Sequence, residues 1–157
     1  MEKVLIALDY DPTAQIVAET GYSFAKLMGA EVILLHVIAD AAYYSVYGML
    51  ETYPSQGFMG INNVEASKLF EGGLKKAMNR FLDKTKTHLG DEIIKTLVKE
   101  GDFGETILKT ANRLKVDVIV MGSHGQKWLE SIIMGSVTEH VLRHTTIPLF
   151  IIPTKKK

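Results

Sequence analysis

Two features of the sequence predict an α/β domain with a doubly wound, five-stranded parallel sheet. Short apolar runs without alternation recur along the chain, among them Val4 to Leu8, Val32 to Ile38 (apart from His36) and Val116 to Met121 (apart from Asp117). Such strands are buried on both faces, as in a parallel sheet covered by helices. Segments with apolar residues at helical spacing separate them, which is the βαβα alternation of that fold class.

The first unit runs from Lys3 to Ile38. Val4 to Leu8 ends at Asp9, and Asp9, Asp11, Pro12 and Thr13 supply helix-start chemistry. Ala14, Val17, Ala18, Gly21, Ala25 and Met28 then share one helical face, and Gly29 ends the helix. With Val32 to Ile38 as the next strand, the unit is a right-handed βαβ crossover whose strands lie side by side and parallel. His36, in a buried strand, reads as a satisfied core histidine.

Residues 39–62 form a long connection holding Tyr43, Tyr44, Tyr47, Tyr53 and Phe58, with no assignable regular structure. Connections of that length tend to be lids, interfaces or mobile segments. From Val64 a helix is expected, with Phe70, Leu74, Ala77, Phe81, Thr85 and Leu89 on one face and Gly90 as its stop. Ile93 to Glu100 mixes apolar residues with Lys95, Lys99 and Glu100, the pattern of an edge strand. Gly104 precedes a shorter helix that turns Ile107, Leu108, Ala111 and Leu114 inward. After the strand ending at Met121 come a helix from Ser136 to about His144 and a last strand, Leu149 to Ile152, between Pro148 and Pro153.

Composition narrows the function classes. The 157 residues predict one domain, 1–157, with a short basic tail at 154–157. Lys and Arg number 18 against 18 Asp and Glu, so no net field draws the protein to nucleic acid or anionic lipid. The absence of cysteine excludes disulfides, thiolate chemistry and cysteine-based zinc sites. The chain opens directly on a strand pattern, and no apolar run approaches the roughly 18 residues of a spanning helix. The expectation is a soluble, cytoplasmic protein.

The most informative stretch is Met121 to Val141, MGSHGQKWLESIIMGSVTEHV. It reads strand, glycine loop, helix, with the spacing Gly122-x2-Gly125-x9-Gly135-Ser136. Glycines in such a loop let backbone N–H groups approach phosphate oxygens with no Cβ in the way, and the positive helix end lies behind them. The alternative is a structural turn followed by an N-cap at Ser136. His124 inside the loop is open to two readings, a phosphate contact or an exposed loop histidine. Trp128, Leu129, Ile132, Ile133 and Met134 are unusually apolar for a loop and suit a short helix or an interface. His140 and His144 share a helix face at a chelating spacing, but no third ligand is apparent.

This stretch resembles the glycine signature of the universal stress protein family, in its nucleotide-binding branch. VLIALD (Val4 to Asp9), LLHV (Leu34 to Val37) and VDVIVMGSHG (Val116 to Gly125) are similar to that family's strands in the same order. The resemblance implies the strand order 3-2-1-4-5 and a Rossmann-like fold of the adenine nucleotide α-hydrolase type. It implies phosphate and ribose contacts at Gly122, Gly125, Gly135 and Ser136, with Val137 and Thr138 continuing the helix terminus and Met121 lining the site by position. Asp9, which by residue chemistry alone is as readily a helix cap as a ligand contact, becomes a nucleotide contact. Val37, core by sequence alone, matches a position whose backbone meets the adenine.

The implied ligand is ATP, with ADP or AMP as alternatives, accompanied by Mg2+ or Mn2+ on the phosphates. The pattern Gly-x4-Gly-Lys-Ser/Thr is absent, Lys127 stands at the wrong distance to substitute, and no base is evident to activate water. With these motifs absent, what the resemblance implies is a nucleotide-dependent stress-response switch acting on its own assembly or on an unknown protein partner. A slow ATP-hydrolysing enzyme and a nucleotide-free interaction module are the alternatives. In the implied order, Leu149 to Ile152 is an apolar strand at the sheet edge, which predicts a homodimer through it, as in the family.

Overall fold

In the computed structural model, which describes residues 1–39, 63–123 and 134–154, the chain alternates strand and helix throughout. The elements are β1 (Lys3–Ala7), α1 (Ala14–Met28), β2 (Glu31–Ile38), α2 (Asn63–Leu89), β3 (Lys95–Glu100), α3 (Phe103–Leu114), β4 (Val118–Gly122), α4 (Ser136–His144) and β5 (Leu149–Ile152). All strands are parallel in the order β3-β2-β1-β4-β5. The register sets Val4 opposite Val32 on one side and Val118 on the other, so β1 is the central strand.

Two apolar layers cover the sheet. On one face Val4, Ile6, Leu34 and Val120 meet Val17, Ala18 and Ala25 of α1 and Leu82 of α2. On the other, Leu5, Leu35 and Ile119 meet Ile107, Leu108 and Ala111 of α3 and Val141 of α4. Alternate residues of one strand thus serve opposite layers, which is why the central strands carry no polar face. Each fully buried Leu or Ile contributes about 1.5–3 kcal/mol relative to exposure.

Several boundaries differ from the expected ones. β3 begins at Lys95 and not at Ile93, whose side chain is 82% exposed. In α2 the buried line is Leu74, Met78 and Leu82, four apart, while Ala77, Phe81, Thr85 and Leu89 flank it; the Phe70 side chain lies outside the described residues. Two readings of the apolar stripe a residue apart both fit helical spacing, and packing selects the one aimed at the sheet. Gly104 lies inside α3, which Asp102 caps by accepting the Glu105 N–H at 3.0 Å. The connection at 40–62 and the tail at 155–157 lie outside the described residues.

Gly21 sets how closely α1 approaches the sheet. A Cβ there would lie 3.0 Å from both Ile6 Cδ1 and Val120 Cγ1, so two strands meet the helix where glycine leaves room. Gly21→Val should lower unfolding free energy by about 1–3 kcal/mol through overpacking. Urea denaturation with an unchanged slope is the measurement; equal stability would mean that the layers tolerate the extra volume.

Candidate functional site

Sheet order reverses at β1. Its neighbours β2 and β4 are reached through crossovers on opposite faces, so the C-terminal ends of β1 and β4 border a crevice, the usual ligand position in open α/β sheets. Asp9 stands two residues beyond β1, and Gly122 is the last residue of β4. The fold brings these two expected site residues to the same end of adjacent strands.

Asp9 takes no part in starting α1. That task falls to Asp11, whose Oδ1 accepts from the Thr13 N–H at 2.7 Å and from the Thr13 hydroxyl, while Thr13 makes no capping bond of its own. Asp9 is exposed by surface area, yet protein crowded around the strand end desolvates its carboxyl and raises it from 3.8 to about 6, with the neighbouring Asp11 adding like-charge repulsion. Water still reaches the group on its open side, which keeps its cost to folding small. Asp11 was not singled out by sequence beyond its helix-start role. Its Oδ2 is buried with no hydrogen-bond partner among the described residues, so negative potential is concentrated at this strand end.

The glycine stretch is pinned at both ends. At its exit the Ser123 N–H donates to the Ile152 carbonyl at 2.9 Å, and Ser123 Oγ accepts from the Thr154 N–H at 3.0 Å. At its return the Gly135 N–H donates to the Ser123 carbonyl at 2.7 Å. Ser123 therefore joins β4, β5 and the start of α4, a role that sequence did not signal beyond a serine beside Gly122. Gly125, His124, Trp128, Leu129, Ile132 and Ile133 lie outside the described residues.

Helix α4 starts without a capping side chain. Gly135, and not Ser136, is the N-cap, with φ −66° and ψ 156°. Any residue adopts that conformation, so what glycine provides there is the missing Cβ. The first intrahelical bond is Glu139 N–H to the Gly135 carbonyl, which leaves the N–H groups of Ser136, Val137 and Thr138 without a helical partner. The Ser136 side chain is exposed, whereas Thr138 is 4% exposed and its hydroxyl donates to the Gly122 carbonyl at 2.9 Å. The Thr138 side chain thus locks α4 to the end of β4, and only its backbone N–H remains for a ligand.

Val37 and Met121 are buried in the α3/α4 layer, so neither side chain reaches the crevice freely. The Val37 backbone is another matter. The Leu35 carbonyl faces β1, accepting the Leu8 N–H at 2.8 Å, and two residues later the peptide groups of Val37 face the same way, where β1 has ended.

His140 and His144 are hydrogen-bonded within the protein. His140 Nε2 lies 3.0 Å from Glu105 Oε1, and His144 Nδ1 donates to the His140 carbonyl at 2.8 Å. A cleft of about 580 Å3 at the β3 edge, with Lys99, Lys109 and Arg113 among its lining residues, lies away from the crevice and mixes acids with bases.

Residues 1–153 match the family model described as the universal stress protein family. The chain is 30% identical over 162 residues to Universal stress protein MJ0577 of Methanocaldococcus jannaschii, covering 98% of this chain and 96% of that protein. It is 25% identical over 152 residues to Universal stress protein A of Escherichia coli, covering 97% and 94%. The solved structure of MJ0577 superposes with a TM-score of 0.77, covering 99% of this chain and 98% of that one. A universal stress protein solved in complex with cAMP has a TM-score of 0.61 at 16% identity, covering 98% of each chain, and shares the fold.

The Asp9 carboxyl makes stability depend on pH with a definite sign. Raised in the folded state, it binds its proton more tightly there than in the unfolded chain, so its favourable contribution is complete below 3.8 and is lost as pH rises through about 6. Asp9→Asn cannot ionise, and its stability relative to the parent should increase as pH rises from about 4 to 7. Urea denaturation across that range is the check; a constant gap would mean that Asp9 titrates as it does in solution.

Proposed function

Because the chain belongs to the universal stress protein family, we propose that it binds an adenine nucleotide, ATP foremost, in the crevice between β1 and β4 and acts as a nucleotide-dependent stress-response switch. The observation that carries this reading is the uncapped first turn of α4 behind Gly135, where three N–H groups are left for an anion. Gly122, Gly125 and Gly135 keep Cβ atoms away from the phosphates. Ser136 adds its hydroxyl, and Val137 and Thr138 add backbone N–H groups. Asp9 accepts from ribose or base, the Val37 backbone meets the adenine edge, and Met121 backs the site. The relative solved with cAMP supports an adenine ligand.

Among the described residues no cluster of three His, Asp or Glu could hold a metal. On this reading, a Mg2+ or Mn2+ ion accompanying ATP is held through the phosphate oxygens. Occupancy shifts an assembly or partner equilibrium by the difference in nucleotide affinity between the two states. The second state is a homodimer through β5, at the sheet edge opposite β3. Leu149, Phe150 and Ile151 are only partly buried there, and no charge interrupts the strand.

Calorimetry should show ATP binding in the low micromolar range or tighter, and denatured purified protein should release a nucleotide identifiable by mass spectrometry. No heat with any adenine nucleotide, on protein verified empty, defeats the reading. Time-dependent ADP formation well above background would favour the enzymatic alternative. Gly135→Val and Gly125→Val should each weaken ATP at least about tenfold, which is about 1.4 kcal/mol; normal binding by both folded variants would remove the phosphate cradle. In sedimentation equilibrium the parent should be a dimer and Ile151→Lys largely a monomer. A full-strength dimer of that variant would place the interface elsewhere.

A further inference from the structure

His36 interrupts an otherwise apolar strand, and its role is larger than filling core volume. Its ring lies on the α1/α2 face of β2, 8% exposed, with the Phe81 ring edge-on at a centroid distance of 6.0 Å. Nδ1 stands 2.7 Å from the Leu8 carbonyl oxygen. A carbonyl can only accept, so Nδ1 carries the proton and the lone pair of the neutral ring is on Nε2. Burial holds the imidazole below its ordinary 6.5, with the bond to Leu8 opposing, so the neutral form prevails at neutral pH.

The carbonyl that His36 takes is the one at which the β1–β2 ladder would continue. In a parallel pair with the Leu8 N–H donating to Leu35, the Leu8 carbonyl would next accept the Val37 N–H. Here the imidazole holds that oxygen, and the register ends with Ala7 opposite Leu35. The oxygen belongs to the peptide that leads into Asp9. One side chain therefore controls both the last fixed peptide before Asp9 and the freedom of the Val37 amide.

We infer that His36 is a positioning residue of the nucleotide site: by holding the Leu8 carbonyl it ends the ladder one step early, which orients Asp9 and leaves the Val37 N–H facing the crevice. The inference rests on the reading of Asp9 and Val37 as nucleotide contacts, but the geometry that it describes is measurable without nucleotide. A histidine that only packed would be replaceable by any side chain of similar size. A positioning histidine is replaceable only by one that donates from the Nδ1 position.

Three substitutions separate these cases. Asparagine carries an N–H near the place of Nδ1, glutamine carries one near Nε2, and leucine fills space without a donor. His36→Asn should bind ATP within about threefold of the parent, while His36→Gln and His36→Leu should lose about tenfold. In nucleotide-free His36→Leu, the Val37 amide should exchange more slowly as it pairs with Leu8, and the Asp9 carboxyl, followed by 13C NMR, should titrate below about 6, toward its ordinary 3.8. Unchanged Val37 exchange and Asp9 titration in that variant overturn the inference whatever ATP does. If the leucine variant does not fold, the asparagine and glutamine variants decide, and equal behaviour of the two overturns it. If the spectra change as expected but the parent binds no adenine nucleotide, the proposed function fails and the structural role of His36 stands.

Discussion

The constraint on which the rest depends is that β1 has a parallel partner on each side. Parallel neighbours cannot be joined by tight turns, so each connection must cross a face of the sheet, and right-handedness leaves one face for each direction of travel. Winding outward from β1 through β2 and β3 places α1 and α2 on one face. Returning to β4 and β5 places α3 and α4 on the other. The crevice beyond β1 and β4 is what this winding leaves open, and it would exist whatever residues lined it.

What lines it is a set of backbone groups that regular structure does not use. The first turn of α4 has no capping side chain, the Val37 peptide faces the place where β1 has stopped, and the strand end at Asp9 is fixed by a side chain instead of a ladder. Backbone groups cannot be varied by mutation without disturbing the element that carries them. The side chains here act mainly as holders: Thr138 on Gly122, Ser123 on Thr154, His36 on Leu8. A site of this construction presents donors at fixed positions and depends on glycine to keep them accessible.

The fold was legible because its signal is physical and repeated. Apolar runs without alternation mark strands buried on both faces, and Val4 to Leu8 with Val32 to Ile38, interrupted only by His36, marked the β1–β2 pairing. Gly29, with φ 66°, and Gly90, with φ 71°, ended helices where expected, since left-handed termini favour glycine. The expected stripe of α2 shared Leu74 with the buried line but continued through Ala77 and Phe81, a residue short of Met78 and Leu82, because helical spacing alone does not say which neighbouring stripe faces the sheet. Among the candidate site residues, Gly122 and Gly135 could be singled out by type and spacing, whereas for Asp9 residue chemistry left cap and ligand contact equal and only the family resemblance favoured the contact. The work of Ser123 and the Thr138 hydroxyl could not be singled out, because each depends on partners across the tertiary structure, from β5 to the end of β4. His36 was recognised as a satisfied histidine, but its partner lies 28 residues away and only the register reveals it.

The hydrogen bond from Gly135 to the Ser123 carbonyl bears on how such a protein can diverge. The residues between these two positions leave and re-enter the sheet through one doorway whose frame is made of β4, β5 and the start of α4. Because the frame closes on itself, insertions or exchanges within that segment need not disturb the strand register, and the entropic penalty for lengthening a closed loop grows only slowly. Ser123 and Gly135 thus form a socket whose geometry is set by the elements around it and not by what joins them. A chimaera that exchanges the segment between Ser123 and Gly135 would keep this frame, and with it the uncapped first turn of α4, intact.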